Sequence, residues 1–398
     1  MKGTKDVTFT PSTGFMGLFL LLGSWLVTRS ALLAQTLQGD VPLDIVAYLK
    51  WAQTLGAGGS PAGDLAYVYP PGSNVVFLFV NLFGGVNSYR AFTLLAASID
   101  LAILAGLILA TRRQPRSRLL APWAWVVMGF AVGPLLYERY DVVAAAFGCF
   151  AVLSISRPML SGGLSGIGFL IKLWPEIAIL GLPRSRLLRG MAVNLLAIVI
   201  GWVTLEAYFG NSLGFLKNVA NKGLSVESVA AYPFLLLRAF TSSHGVTGQY
   251  GSWEVTGPGV SIAALLTTIL GILLIAGLLL LRMLGRLEFA APGDVVLLGV
   301  LIFVASHKIN SLQYGVWIAA MTAAALAYSS SKSLGPAILL TLSLVVANEV
   351  IWTHFVEFIS GNPILIGLQG LRLLLLLTAT VWLAFRTLRG SRGREPHT

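Results

Sequence analysis

The chain has 398 residues, of which 56% are hydrophobic and only 11% are charged, and its mean hydropathy is +0.81. Soluble globular domains carry about 25% charged residues, so this composition excludes an ordinary soluble protein and indicates an all-α polytopic membrane protein. The net charge of +11 comes from short basic clusters between apolar runs, a pattern that orients membrane proteins and argues against nucleic-acid binding.

The first apolar run, from about Gly14 to Ala34, is long enough to cross roughly 30 Å of hydrocarbon. Lys2 and Lys5 precede it, as basic residues precede the apolar core of a secretory signal. No convincing cleavage site follows, and the run is too long for a signal core. We therefore predict a retained first membrane span with the N-terminus on the cytoplasmic side.

A polar segment at residues 35–72 follows, and it carries the aspartates Asp40, Asp44 and Asp64 between two membrane-length apolar segments. We predict that it is the first extracytoplasmic loop and that it carries the chemistry. Asp40 follows a glycine and is suited to capping a helix. Asp64 precedes the rigid Tyr69-Pro70-Pro71-Gly72 turn, where it is either a turn acid or a substrate contact.

Asp44, Tyr48 and Trp51 recur at spacings of four and three residues, which places them along one face of a short helix at the membrane interface. A carboxylate held among aromatic rings is well placed to act as a base. Burial would raise its pKa and a cation such as Lys50 would lower it, and the sequence leaves that balance open. The alternative is an ordinary helix cap or a solvated acid.

The basic clusters predict the topology. Cytoplasmic segments are expected at Arg112 to Arg118, Arg157, Pro183 to Arg189, Arg282 to Arg286, Lys332 and the basic tail at 387–398. Crossings are expected, besides the first, near 90–111, 119–137, 141–156, 190–209, 258–282, 294–306, 312–328, 334–352 and 364–386. The total is about 10 full spans by length and charge. The runs 73–87 and 160–182 are predicted to be broken, the second because it holds Pro175 and several glycines.

This topology places most of the remaining polar residues on the opposite, non-cytoplasmic side. They are Asp40, Asp44, Asp64, Glu138, Arg139, Asp141, Lys217, Lys222, Glu227, His307, Lys308, His354 and Glu357. Such one-sided clustering predicts a single polar cavity at the outer leaflet, although solvated loops also hold charged residues. The second long polar segment, 210–257, is predicted to be a second extracytoplasmic loop and part of an outer lid.

Three further groups of residues are able to do chemistry. Glu138-Arg139-Tyr140-Asp141 is either part of the cavity or a self-paired surface network. Lys172 lies in an apolar segment and needs an anionic partner, for which a lipid phosphate and Glu176, one helical turn on, are the alternatives.

The third group lies between two predicted spans, where His307 and Lys308 precede Gln313 and Tyr314. A lysine beside a histidine suits a phosphate leaving group. No zinc-ligand spacing, P-loop or dinucleotide fingerprint is present, so a soluble cofactor is not expected. The lone cysteine, Cys149, lies in an apolar run and is predicted to be buried and inert.

Several of these stretches together resemble one family. They are Asp44-x-x-x-Tyr48-x-x-Trp51 with Asp64 and Tyr69-Pro70-Pro71, Arg139-Tyr-Asp141 followed by Lys172-Leu-Trp-Pro175, Asn221-Lys-Gly-Leu-Ser-Val-Glu227-Ser228, and Lys308-Ile-Asn-Ser-Leu-Gln313-Tyr314-Gly-Val-Trp317. The ordered set, which extends from Asp40 to Trp317, is similar to the GT-C superfamily of membrane glycosyltransferases and, within it, to glycosyltransferase family 87. Val68 and Leu312 depart from the family pattern, which leaves the acceptor open.

The resemblance implies one GT-C-like domain of about 10–13 transmembrane helices, with a large first outer loop and broken or re-entrant helices. It implies inverting transfer of a sugar, with mannose favoured, from a polyprenyl-monophosphate donor to a lipid or glycan acceptor outside the plasma membrane. Asp44 is the implied general base. The implied substrate-binding residues are Tyr48, Asp64, Tyr69, Arg139, Asp141, Lys172, Lys222, Glu227, His307, Lys308, Gln313 and Tyr314. No obligatory divalent metal is expected, because basic side chains are able to compensate a phosphate leaving group.

The main alternative is a polytopic lipid or solute transporter, or a flippase, with the same apolar spans. Transporters usually place ionisable residues near the bilayer midplane and often show repeat symmetry. Here the acids are predicted in outer loops and no repeat is evident, so the sequence favours the transferase. A non-catalytic membrane scaffold is the third interpretation.

Overall fold

The computed structural model describes residues 11–38, 41–112, 119–249, 251–329 and 333–390. Helices dominate, as the sequence predicts for a chain that must satisfy its backbone inside hydrocarbon. They are α1 Pro11–Gln38, α2 Leu43–Gly56, α3 Ser73–Asn81, α4 Gly85–Thr111, α5 Leu120–Val132, α6 Leu135–Glu138, α7 Asp141–Leu153, α8 Pro158–Ile171, α9 Arg184–Phe209, α10 Gly214–Asn221, α11 Tyr232–Phe240, α12 Val260–Met283, α13 Pro292–Ser306, α14 Tyr314–Ser329, α15 Leu334–Ala347, α16 Phe355–Ile359 and α17 Pro363–Gly390. A single π turn, Asn348–Thr353, joins α15 to α16.

Within the described ranges, six helices are long and apolar enough to cross a membrane. They are Phe15–Gln38, Asn87–Thr111, Arg184–Phe209, Val260–Met283, Leu334–Thr353 and Pro363–Arg389. In each of them fewer than half of the residues in the apolar window are buried inside the protein, as expected for helices that face lipid. The prediction of an all-α polytopic membrane protein is confirmed.

Shorter apolar helices form the interior. α14, of 16 residues, is almost entirely buried, and α5, α7 and α13, of 13, 13 and 15 residues, pack against it with most of their residues buried. At a rise of 1.5 Å per residue such helices are about 20–24 Å long, shorter than the hydrocarbon layer. The sequence analysis counted them as full crossings because apolarity alone does not distinguish a helix buried in protein from one that faces lipid.

Both predicted breaks are present. α3 ends at Asn81 and the chain turns at Gly84, whose φ of 66° favours glycine, before α4 begins. α8 ends at Ile171, and Lys172 is extended, because Pro175 prevents the helix from continuing. A 3₁₀ segment, Trp174–Gly181, follows.

The second break is joined to the first loop. The Gly72 amide donates to the Leu170 carbonyl at 2.8 Å, and a side chain at Gly72 would overlap that carbonyl. This close approach brings the end of the first loop to the point where α8 ends.

The chain between α9 and α12 forms a small antiparallel sheet. This sheet was not predicted from the sequence. Its strands are β1 Leu224–Ser225, β2 Gly245–Gln249 and β3 Ser252–Thr256, in the order β1-β3-β2. Ser225 joins the sheet to the α13–α14 connection, since its amide donates to the Lys308 carbonyl at 2.9 Å and its Oγ donates to the Asn310 carbonyl at 2.9 Å.

Three arginines in or beside segments predicted to be cytoplasmic bind other parts of the chain. Arg186 donates to the Ser156 carbonyl, Arg282 donates to the carbonyls of Leu180 and Leu287, and Arg386 pairs with Asp294. The rest of that prediction, at Arg113 to Arg118, Lys332 and residues 391–398, lies outside the described residues, as does Asp40.

Candidate active site

One cavity of about 650 Å³ lies between the first loop, the second loop and the ends of the core helices. Nine of the thirteen predicted site residues line it: Asp44, Tyr69, Arg139, Lys172, Lys222, Glu227, His307, Gln313 and Tyr314. The other four, Tyr48, Asp64, Asp141 and Lys308, do not line it. Residues far apart in the sequence therefore meet in one chamber, as the one-sided clustering predicts.

Asp44 and Arg139 form an ion pair at the wall of this cavity. Asp44 lies in the first turn of α2, which begins after Pro42, and Arg139 lies in the extended link between α6 and α7. Their side chains are 29% and 20% exposed, so both remain accessible to a ligand. The cation beside Asp44 is thus Arg139 and not Lys50, which pairs with Asp64 at 3.0 Å.

Asp64 is held inside its own turn. Its carboxylate accepts from the Ala66 amide at 3.0 Å, from Trp51 Nε1 at 3.1 Å and from Lys50. Partial burial favours the neutral acid, but these hydrogen bonds prevail and lower the pKa of Asp64. Of the two interpretations left open for Asp64, this placement fits the turn acid.

The residues of the Glu138 to Asp141 segment do not pair with one another. Arg139 pairs with Asp44, and Asp141 pairs with Lys172. Glu138 is buried, and its Oε2 has no hydrogen-bond partner among the residues described. Burial raises the pKa of Glu138 to about 7, although Arg139 opposes the shift. The interpretation as a self-paired surface network is wrong, because Arg139 and Asp141 pair with residues of other segments and Glu138 is buried.

Lys172 lies in a cage of aromatic faces closed by a carboxylate. Its Nζ is 2.5 Å from Asp141 Oδ1, and the same oxygen accepts from Trp317 Nε1 at 2.6 Å. The ammonium also lies 4.9 Å from the ring centres of Tyr140 and Trp317. Aromatic faces and an ionised oxygen both stabilise a cation in a site with little water.

Glu176 is not the partner of Lys172, so that alternative is wrong. Its carboxylate accepts from Asn194 Nδ2 at 2.7 Å, on α9, and lies beside Ser165 on α8. The 3₁₀ segment that starts at Trp174 carries Glu176 away from the cavity.

Stacked aromatic rings pack beside the polar groups of the cavity. Trp174 stacks on Trp317 with ring centres 5.2 Å apart, and Trp317 stacks on Tyr314 at 3.7 Å. Tyr48 is buried behind the cavity wall and stacks on Phe77 at 4.6 Å. Burial raises the pKa of Tyr48 well above its ordinary value, so its phenol stays neutral and serves as a packing group.

Lys222 and Lys308 face different ways. Lys222 lines the cavity, and its Nζ donates to Ser252 Oγ at 3.3 Å. Lys308 instead donates to the backbone carbonyls of Lys222 at 2.6 Å and Ala220 at 3.1 Å, so it fixes the end of α10. Burial lowers the pKa of both lysines, and Glu254 opposes the shift. The predicted contact of Lys308 with a phosphate does not fit this orientation.

His307 lines the cavity as a neutral ring. Its Nδ1 lies 2.5 Å from the Ile309 carbonyl, and the ring stacks on Phe303 at 4.9 Å. Burial lowers the pKa of His307, and the neighbouring Lys308 acts in the same direction. With Nδ1–H donating to the carbonyl, Nε2 is left as a hydrogen-bond acceptor.

Part of the cavity wall was not predicted from the sequence. Ile351, Trp352 and Phe355, from the π turn and α16, form an apolar side of the cavity. Gln369 and Arg372 of α17 donate to the Glu227 carbonyl. Two polar residues one turn apart in an apolar span were the available signal for α17, because such residues are costly in a membrane.

The residues described contain no group of three or more His, Cys, Asp or Glu side chains that could hold a metal ion. The expectation of a metal-independent reaction stays a prediction. The cavity itself offers two carboxylates (Asp44 and Glu227), three basic side chains (Arg139, Lys172 and Lys222) and neutral hydrogen-bonding groups. This set is suited to proton transfer and to binding a phosphate.

The family model of glycosyltransferase family 87 matches residues 67–307, more than half of the chain. No match was found among curated proteins or among solved structures. The matched range contains seven of the predicted site residues: Tyr69, Arg139, Asp141, Lys172, Lys222, Glu227 and His307. Asp44 precedes the range, and Gln313 and Tyr314 follow it. With more than half of its length matched, the chain belongs to glycosyltransferase family 87.

Proposed function

We propose that this membrane glycosyltransferase moves a sugar, most simply mannose, from a polyprenyl-monophosphate donor to a lipid or glycan acceptor, with inversion, at the outer face of the plasma membrane. The observation that supports this proposal is the meeting of Asp44, Arg139 and Lys172 in one cavity. A carboxylate is the base such a transfer needs, and two cations match a phosphate leaving group.

The cavity has the dimensions and the two-sided character that such a donor requires. Its volume of about 650 Å³ lies within the range of small-molecule sites. Arg139 and Lys172 mark the polar side, where the sugar phosphate binds. Ile351, Trp352 and Phe355 mark the apolar side, where the first isoprene units lie.

The leaving group needs charge compensation more than it needs a proton. A phosphate that departs from the sugar gains negative charge, and the guanidinium of Arg139 and the ammonium of Lys172 stabilise that charge by ionic hydrogen bonds. The carboxylate of Asp141 and the faces of Tyr140 and Trp317 keep the Lys172 ammonium in place.

The Asp44–Arg139 pair offers a way to activate the base. Before a donor binds, Arg139 holds the Asp44 carboxylate. A phosphate in the cavity competes for the same guanidinium, and it weakens the ion pair when it binds. Asp44 then accepts the proton of an acceptor hydroxyl, whose oxygen attacks the anomeric carbon on the side opposite the phosphate, so the configuration inverts.

The test uses purified protein, polyprenyl-phosphate mannose and a membrane lipid extract as the source of acceptors, with release of polyprenyl phosphate as the readout. Asp44→Asn is expected to lower the rate by about 10²–10⁴-fold, the usual contribution of a general base. Asp64→Asn is the matched control, since this acid lies in the same loop but does not line the cavity. Wild-type turnover in Asp44→Asn would remove Asp44 from the role, and no release from any polyprenyl-phosphate sugar would contradict the donor class.

Sidedness is tested with single cysteines and a membrane-impermeant maleimide on intact cells. Cys149 is buried and does not interfere. Cysteine at the exposed Ser242, between α11 and β2, is expected to react in intact cells, whereas cysteine at the exposed Arg286, after α12, reacts only after permeabilisation. The reverse pattern would place the cavity on the cytoplasmic side.

A further inference from the structure

The last membrane helix reaches the cavity through two buried polar residues. Gln369 is fully buried and Arg372 is 6% exposed, and they lie one helical turn apart in the first half of α17, which is otherwise apolar. Gln369 Nε2 donates to the Glu227 carbonyl at 3.2 Å, and Arg372 Nη1 donates to the same carbonyl at 3.3 Å. Arg372 also donates to Gln369 Oε1 at 3.2 Å, which fixes the two side chains relative to each other.

Polar residues of this kind are costly in a membrane helix and mark functional positions. The acceptor that they share belongs to a residue that lines the cavity. Gln369 and Arg372 therefore fix the backbone of Glu227, which is one of the residues that line the cavity.

The Glu227 carboxyl is not fully satisfied by the protein. Its Oε2 is buried and has no hydrogen-bond partner among the residues described, whereas the residue as a whole is only partly buried and lines the cavity. Burial raises the pKa of Glu227 to about 7, against the opposing effects of Arg372, Arg139 and the Leu312 amide. Tyr314 of α14 also interacts electrostatically with the Glu227 carboxyl. A carboxyl with an unpaired oxygen beside a cavity is able to turn toward a hydrogen-bond donor that enters the cavity.

A sugar hydroxyl is such a donor. Arg139 and Lys172 on the cavity wall are suited to the anionic phosphate, whereas Glu227 offers an acceptor suited to a neutral O–H group. We propose that Glu227 binds a hydroxyl of the transferred sugar and that Gln369 and Arg372 are positioning residues that set this contact. The inference rests on the proposed function. Glu227 lies inside the matched range of residues 67–307, whereas its two positioning residues, Gln369 and Arg372, lie outside it.

Binding of one particular hydroxyl by Glu227 affects which sugars the protein accepts. A site built to bind a particular hydroxyl rejects the deoxy analogue by leaving its own polar group unpaired. A donor series in which each mannose hydroxyl is removed in turn is therefore expected to contain one analogue that wild-type protein uses poorly. Glu227→Gln should lose the preference against that analogue.

The experiment compares wild type with Glu227→Gln, Arg372→Met, the double variant and Arg282→Met. Arg282 is the matched control, because it is also a buried arginine that donates to backbone carbonyls, at 2.9 Å to both Leu180 and Leu287, but it does not line the cavity. The donor KM, kcat and their pH dependence are measured per amount of monodisperse folded protein.

Glu227→Gln is expected to raise the donor KM by about 10-fold or more, the usual effect of one lost hydrogen bond to a charged group. Arg372→Met should raise KM less and shift the pH dependence of KM to higher pH, because the guanidinium that favours charged Glu227 is gone. The double variant should be no worse than Glu227→Gln, since Arg372 acts through Glu227. Arg282→Met should change neither KM nor the pH dependence.

Arg372→Met with the same KM and pH dependence as Arg282→Met would overturn the inference, and so would effects of the two single substitutions that multiply in the double variant. Calorimetric titration with mannose 1-phosphate separates this outcome from failure of the proposed function. Weaker binding by Glu227→Gln and Arg372→Met, but not by Arg282→Met, supports the inference even if no polyprenyl-phosphate donor is used. Equal binding by all variants overturns it.

Discussion

Two ion pairs in this molecule join an arginine to an aspartate in opposite surroundings. Arg29 of α1 pairs with Asp100 of α4 at 3.2 Å, and the two side chains are 2% and 0% exposed. Arg29 also donates to the Val126 and Trp125 carbonyls of α5, while Trp25 Nε1 and Tyr137 OH donate to Asp100 Oδ2. The charges are enclosed and almost every donor and acceptor is used.

The second pair, Arg139 with Asp44, lies open to a cavity, with side chains 20% and 29% exposed. A buried pair with its full set of hydrogen bonds is a structural device, because breaking it leaves a charge without a partner. A pair that retains open positions beside a cavity is able to exchange partners when an anion enters.

One short segment connects the two pairs. Tyr137, at the end of α6, donates to Asp100 at 2.9 Å, and Arg139, two residues later, pairs with Asp44. The closed network therefore fixes the backbone from which the cavity cation projects. The hydrogen bonds around Asp100 therefore hold Arg139 in position beside Asp44.

The largest effect on stability is expected from the closed pair. Asp100→Leu leaves the Arg29 guanidinium buried without its anion, and the free energy of unfolding should fall by about 3–5 kcal/mol. Thermal unfolding in detergent measures the loss. The double variant Arg29→Met/Asp100→Leu removes both charges and should recover much of it. If Asp100→Leu unfolds no earlier than Asp44→Asn, the distinction between the two pairs is wrong.

The open pair should show the reverse behaviour. Arg139→Gln is expected to lower sugar transfer by about 10²–10³-fold, as for loss of one group that stabilises charge in a transition state. Its cost in stability should stay near about 1 kcal/mol, because the pair is partly solvated. Turnover and thermal unfolding are measured on the same preparation. Arg186→Gln, at the opposite face, is the control and should change neither.

The sequence predicted the open pair better than the closed one. Asp44, Arg139 and Lys172 were selected because they lie in polar segments between apolar runs, and a resemblance ordered them along the chain. Their partners were not predictable, because Asp44 to Arg139 and Asp141 to Lys172 are long-range contacts set by helix packing. Local spacing suggested Glu176 for Lys172 only because it is one turn away.

Arg29 and Asp100 were not predicted from the sequence, because each is an isolated charged residue inside a long apolar helix and hydropathy averages over the whole window. The same averaging concealed Gln369 and Arg372 in α17. The three-stranded sheet was missed because strands of two and five residues carry too short an alternation to be recognised. Polar residues inside membrane helices are thus the feature of the sequence that indicates such buried contacts.

Glu138 lies between the two pairs and should give the molecule a pH-dependent stability. Its pKa of about 7 in the folded protein is raised from an ordinary 4.5, so folding favours the protonated acid. The stabilisation is complete below about pH 4.5 and is lost as the pH rises through 7, by up to about 3 kcal/mol in total. Thermal unfolding from pH 5 to 8 should show the decline.

Glu138→Gln should flatten that decline, because the amide does not ionise. Glu227 has the same pKa of about 7 and acts in the same direction, so the comparison is made in a Glu227→Gln background. An unchanged pH slope after Glu138→Gln would show that water or a ligand reaches this carboxyl, and that the space between the two pairs is not closed.

The smallest effect is expected from a third ion pair in the first loop. Lys50 and Asp64 are 3.0 Å apart, but their side chains are 69% and 28% exposed, and such pairs contribute at most about 1 kcal/mol. Lys50→Met should leave Asp64 bound to Trp51 Nε1 and the Ala66 amide. Thermal unfolding and sugar transfer should therefore stay close to wild type. A loss of transfer as large as that of Arg139→Gln would mean that Asp64 leaves its turn during the reaction, and would transfer the role of base from Asp44 to Asp64.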